Sequence, residues 1–276
     1  MENLRQIIYS NTNIEGSLID KIIECIELIL TKYPTAYNNL YKNLKNITIR
    51  YTDEFDNKRL SGINVDSSYN TLENLLIVNE NFMNGPQYKH LLIHELLHVA
   101  SYNDENLGFE NLKAKQGMSF NEGMTEYLTQ TILNDYSFGM HLYLKDINNI
   151  NMLETIIPTE KLSEFYFTVG LKGIFMYLDN VEDIVKLVIS SDKEHIERIK
   201  TKNFNISNMD DCIKVFMSIL SKKNYQSEEE VIYTIITLNR FIFLQYETNI
   251  IPPSVKPYWN DCINTMMNNY IMDRNR

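Results

Sequence analysis

With 276 residues, the chain is long enough to bury a substantial core, either as one large domain or as two small ones. Hydrophobic residues at 44% and charged residues at 22% exclude wholesale disorder. A formal net charge of −10 repels phosphate backbones and argues against nucleic acid as a main partner.

Met1–Ser10 is mixed in character and lacks the pattern of a signal peptide. Ser17–Lys32 carries apolar residues at helical spacing (Leu18, Ile19, Ile22, Ile23, Ile26, Ile29 and Leu30), and Tyr33-Pro34 ends the pattern. Three short stretches then suit strands: Asn46–Tyr51, Leu60–Val65 and Leu75–Val78, the last a continuous apolar run expected of a buried strand. Asp56-Asn57 and Ser67–Asn70 supply turn chemistry between them, which predicts a small mixed or antiparallel sheet. After Gly85-Pro86 the pattern turns helical. Gln87–Tyr102 is the first strong helix, and Ser119–Leu133 is the second, with Ser119 and Glu122 spaced as a capping box. From Lys161 onward five or six helices are expected, the last after Pro252-Pro253. The fold class is therefore α+β: a small N-terminal sheet, two central helices and a mostly helical C-terminal half. The expected parts are 1–136, a core, and 137–276, helical and packed on that core.

Cys25, Cys212 and Cys262 are odd in number and far apart, which fits neither a disulfide framework nor a CxxC metal site and predicts reduced thiols. No stretch reaches the ~18 apolar residues of a membrane span. A cytoplasmic protein without membrane or nucleic-acid partners is expected, non-classical export aside. Richness in Asn, Ile, Lys and Tyr suggests an AT-rich bacterial or phage genome. The most basic stretch, Lys193–Lys202, also holds Glu194 and Glu197 and reads as a solvated helix face.

The chemistry concentrates in Leu91-Leu92-Ile93-His94-Glu95-Leu96-Leu97-His98. On a helix, residues four apart share a face, so His94 and His98 converge on one ion. Zinc suits neutral imidazole nitrogen and keeps a position for water in catalytic sites. Glu95 follows the first histidine and can act as that water's general base. With five histidines in the chain, chance assembly of this spacing is on the order of one in a hundred. A catalytic zinc usually needs a third protein ligand, and Glu122 and Glu126 lie one helical turn apart on the following helix. One can ligate while the other accepts the second N–H of a ligand histidine. Read alone, that pair is a solvated acidic face; beside an HExxH helix it is a ligand candidate. Gly123 costs about 1 kcal/mol of helix propensity relative to alanine and points to close packing against the first helix.

His94-Glu95-Leu96-Leu97-His98 together with Asn121-Glu122-Gly123-Met124-Thr125-Glu126 resembles the gluzincin branch of zincin metallopeptidases, whose second motif reads Asn-Glu-x-x-Ser-Asp. The resemblance covers roughly residues 46–135 and implies one zinc ion held by His94, His98 and Glu122. It sets Glu126 where the family has an aspartate bonded to a zinc histidine. Thr125 replaces serine and Glu126 replaces aspartate, so a longer side chain must fold back. The resemblance also implies that Leu75–Asn79 is an edge strand offering its backbone to an extended peptide. Metzincins do not fit, because no histidine follows His98 until His141.

The implied reaction is hydrolysis of a peptide bond in a peptide or protein substrate, with Glu95 moving the proton. A donor to the oxyanion is also wanted, and the family often draws one from a downstream His or Tyr. His141, Tyr143 and Tyr166 are the candidates, whereas His90 and His195 read as structural or solvent-exposed. Three alternatives compete: a regulatory peptidase with a single target, a non-catalytic interaction protein retaining a zinc core, and a di-iron carboxylate bundle. The last needs a second Glu-x-x-His pair, which is absent here.

Overall fold

A computed structural model describes residues 1–52, 67–83, 85, 87–135, 143–178, 181–201, 209–246 and 251–274. The expected strand Leu60–Val65, the turn at Asp56-Asn57 and His141 lie outside the described residues.

Helix α1 (Glu2–Ser10), a 3-10 turn at Gly16–Leu18, α2 (Ile19–Lys32) and α3 (Tyr37–Leu44) open the chain. Of these, α2 follows the apolar repeat closely: Ile22, Ile23, Ile26 and Ile29 are buried while Glu24 points outward. Strands β1 (Thr48–Thr52), β2 (Ser67–Asn70) and β3 (Leu75–Asn79) form a sheet ordered β1-β3-β2. β1 runs parallel to β3, with Thr48 opposite Leu75; β2 runs antiparallel, with Ser67 opposite Val78. Two expectations are corrected here. Ser67–Asn70 is a strand rather than a turn, because β3 supplies a ladder that local propensity cannot anticipate. Leu75–Asn79 is the central strand rather than an edge, which is why all five of its residues are buried.

After α4 (Glu80–Met83) comes α5 (Tyr88–Ser101), the HExxH helix, packed against α2, α3 and β2. It is buried continuously from His90 to Ser101, as befits a helix walled on several sides. Asn43 of α3 donates to the carbonyls of Val99 (2.8 Å) and Tyr102 (3.0 Å), satisfying groups at the end of α5 that have no intrahelical partner. A short hairpin of β4 (Asn106–Leu107) and β5 (Glu110–Asn111) leads to α6 (Met118–Leu133). The remaining helices are α7 (Leu144–Glu154), α8 (Thr159–Phe167), α9 (Leu171–Leu178), α10 (Val181–Thr201), α11 (Asp210–Ser221), α12 (Glu228–Tyr246) and α13 (Lys256–Arg274). The architecture is thus α+β with a mostly helical C-terminal half. Among the described residues no helix is long and apolar enough to cross a membrane.

The chain divides into two compact units that interleave in sequence. One comprises Met1–Lys113, Thr125–Gly139 and Tyr166–Gly170; the other comprises Ala114–Met124, Met140–Phe165 and Leu171–Arg276. Helix α6 runs unbroken through a boundary, giving its first half to the second unit and its second half to the first. In the first unit, Tyr166 is fully buried, its hydroxyl 2.6 Å from Thr125 Oγ1 and its ring edge-on to Phe109 and Phe167. In the second, α10 packs on α11, α11 on α13, and α12 on α7, where Asn148 donates to the Phe241 carbonyl. All three cysteines are buried thiols, each pushed up to about 12 by burial.

Candidate metal centre

Helix α5 sets His94 and His98 one turn apart, with ring centroids 5.0 Å apart and planes at 75°. Both are almost wholly buried among leucines, where an imidazole needs partners for its nitrogens. Glu126 of α6 supplies one: its Oε2 lies 3.1 Å from Nδ1 of His94. Burial pushes Glu126 up, but the hydrogen bonds and charges of His90 and His94 outweigh it and hold the carboxyl at about 2. An ionised carboxylate only accepts, so Nδ1 of His94 carries the hydrogen in this pair.

Glu122 precedes Glu126 by one turn of the same helix. Among the described residues, His94, His98 and Glu122 are the one group of three whose ligand atoms all lie within 4.8 Å of one another. A tetrahedral ion bound at about 2.0–2.1 Å needs donors roughly 3.4 Å apart, a side-chain adjustment away. Two imidazoles and a carboxylate are a donor set that zinc accepts in sites with an open fourth position. Of the three, Glu122 is half-buried and the histidines are buried. The residues present therefore fit the ion.

Glu95, 6% exposed, accepts a 2.9 Å hydrogen bond at Oε1 from the Ser67 hydroxyl at the start of β2. The sheet thus reaches the carboxylate beside His94 through a residue 28 positions earlier in sequence. Nothing in the sequence signals that contact.

Other sites around α6 differ from expectation. Met118 already lies in α6, so Ser119 does not cap it by a capping box. Instead the Asp192 carboxylate of α10 accepts from the N–H groups of Gly117 (2.7 Å) and Ser119 (2.9 Å), where an anion is favoured. The Ser119 hydroxyl donates to Asp146 at 2.7 Å. Gly123 packs against α7 rather than α5: a Cβ there would stand 2.4 Å from the Asp146 carbonyl oxygen. His195 is buried, not solvent-exposed; its Nδ1 donates to Asp146 Oδ2 at 3.0 Å, and Tyr143 stacks on its ring at 6.3 Å. Burial works against a charged His195, but Asp146 overcomes it and raises the imidazole, with Glu122 adding a smaller pull. Arg198 donates to the same Asp146 oxygen at 2.9 Å and to Glu194 at 3.1 Å. His90 is buried, as a structural residue would be, and meets Glu126 directly. Its spacing four before His94 is a signal the sequence does carry.

Compared with known proteins, the chain matches no family model, no curated protein and no solved structure.

Proposed function

We propose that this chain is a zinc-dependent peptidase. The reading rests on one observation: the convergence of His94, His98 and Glu122 at a site where Glu95 stands next to a ligand histidine. Held by His94, His98 and Glu122, a zinc ion would supply Lewis acidity, lowering the pKa of a bound water toward about 7. Glu95 takes a proton from the attacking water and hands it to the leaving amine, while Ser67 fixes the carboxylate's rotation from Oε1. Glu126 holds His94 in one tautomer. His195, whose imidazole Asp146 raises above its ordinary value and which lies within electrostatic reach of Glu122, is an oxyanion donor to set beside Tyr143 and His141.

The experiment is hydrolysis of a diverse peptide library by zinc-reconstituted protein, with Glu95→Gln as control. Turnover that falls by about 10²–10⁴ in Glu95→Gln, at equal zinc content, supports the reading. A zinc-loaded wild type that cleaves nothing, or cleavage that survives Glu95→Gln, overturns it; the first result favours a non-catalytic protein with a zinc core.

A further inference from the structure

Helix α5 presents not two histidines to its neighbour but three. His90, 3% exposed, places Nε2 2.9 Å from Oε1 and 3.0 Å from Oε2 of Glu126. Nδ1 of His94 reaches Oε2 at 3.1 Å, and Nε2 of Gln130 donates to Oε1 at 3.1 Å. The carboxylate is completely buried, and it accepts on both oxygens from three side chains.

A glutamate has one more rotatable bond than an aspartate, so its head group samples more positions unless something fixes it. A bond from Glu126 to His94 alone would leave the carboxylate free to pivot about that contact. His90 removes the pivot because it spans both oxygens, and Gln130 secures the oxygen that His94 does not use. His90 and His94 lie one turn apart on α5, and Glu126 and Gln130 lie one turn apart on α6, so two helical ridges enforce the arrangement.

We propose that His90 is a positioning residue of the metal centre: by clamping both oxygens of Glu126 it fixes the tautomer and ring orientation of His94, and so strengthens zinc binding without touching zinc. The proposal rests on the metal reading of His94, His98 and Glu122. It differs from a purely structural role, in which His90 would stabilise the fold but leave metal affinity unchanged.

The test is the zinc dissociation constant of the full chain, from competition with a chromogenic chelator, alongside melting of the metal-free protein. His90→Phe fills the space without donating; His90→Gln restores an amide N–H near the place of Nε2. Partners that orient a metal ligand are worth about 10–100-fold in affinity. His90→Phe is expected to weaken zinc by that factor, and His90→Gln to recover most of it; melting of the metal-free proteins reads separately the stability lost with a buried donor. If His90→Phe does not fold, Gln130→Met removes the other donor and is expected to weaken zinc about tenfold. Unchanged affinity in the donor-free variant overturns the proposal, as does His90→Gln falling as far as His90→Phe. A wild type that binds no zinc fails differently, since it removes the metal reading itself.

Discussion

Two buried carboxylates, one in each unit, hold histidines in opposite ways. Asp146 in the second unit accepts from His195, from the Ser119 hydroxyl and from Arg198, which also binds Glu194. Burial alone would raise Asp146, but His195 and Arg198 bring it below the usual carboxylate range. Guanidinium never loses its proton, so this cluster carries its own compensating cation. Glu126 in the first unit accepts from two imidazoles and an amide among the described residues. The ring it holds, His94, belongs to the group with His98 and Glu122 whose ligand atoms lie within 4.8 Å of one another. A histidine–carboxylate pair closed by arginine is architecture. The same pair without a permanent cation can orient a ligand.

Breaking the internal cation should separate the two most sharply. Arg198→Met leaves Asp146 and Glu194 buried with less compensation and is expected to cost about 3–5 kcal/mol of stability, read from denaturant melts. Glu126→Gln should cost less in stability and more in zinc affinity. Equal effects of the two substitutions on both readouts would erase the distinction.

Gly123→Ala sharpens the comparison from the packing side. A methyl group pressed against the Asp146 carbonyl oxygen must move α6 or α7, at about 1–3 kcal/mol by thermal melting. Were it neutral, the close approach to Asp146 would be wrong. Ser67→Ala removes a hydrogen bond to a carboxylate, about 1.5–3 kcal/mol in such settings. Under the proposed function, that loss appears as slower turnover at unchanged zinc content; unchanged turnover would exclude Ser67 from the reaction.

The smallest effect is in pH. His195 sits above its unfolded value near 6.5, so its charge stabilises the fold fully below about pH 6.5 and less as pH rises through the folded value. Asp146 sits below its unfolded value near 3.8, so its contribution is present above that pH and lost as pH falls through the folded value. His195→Asn keeps a neutral donor. The melting-temperature gap to wild type should therefore be widest between about pH 4 and 6.5 and narrow toward alkaline pH. A gap that grows with pH would contradict the assigned direction.

Features with local periodicity were legible in the sequence. The HExxH helix and the glutamate helix fall within one residue of their expected ends, and α2 follows its isoleucines. His94, His98 and Glu122 come together because helical spacing alone puts two of them on one face. What stayed hidden depends on partners far along the chain. Ser-Ser-Tyr-Asn at 67–70 looks like a turn until β3 pairs with it. The N-terminus of α6 is capped from Asp192, 73 positions after Ser119, and Gly123 answers to α7 rather than α5. His195 stands among charges in sequence and is buried because Asp146 and Arg198 close around it. Helices α1 and α3 lack a long apolar repeat, and tertiary contact decides them.

The central claim is that the first cluster holds a metal ion and the second does not. Elemental analysis of tag-free protein, comparing wild type with His94→Ala, Glu122→Ala and His195→Asn, tests it most directly. The account predicts about one zinc per chain in wild type and in His195→Asn, lost or much weakened in the other two. No zinc in the wild type after reconstitution, or zinc that survives both ligand substitutions, would contradict it.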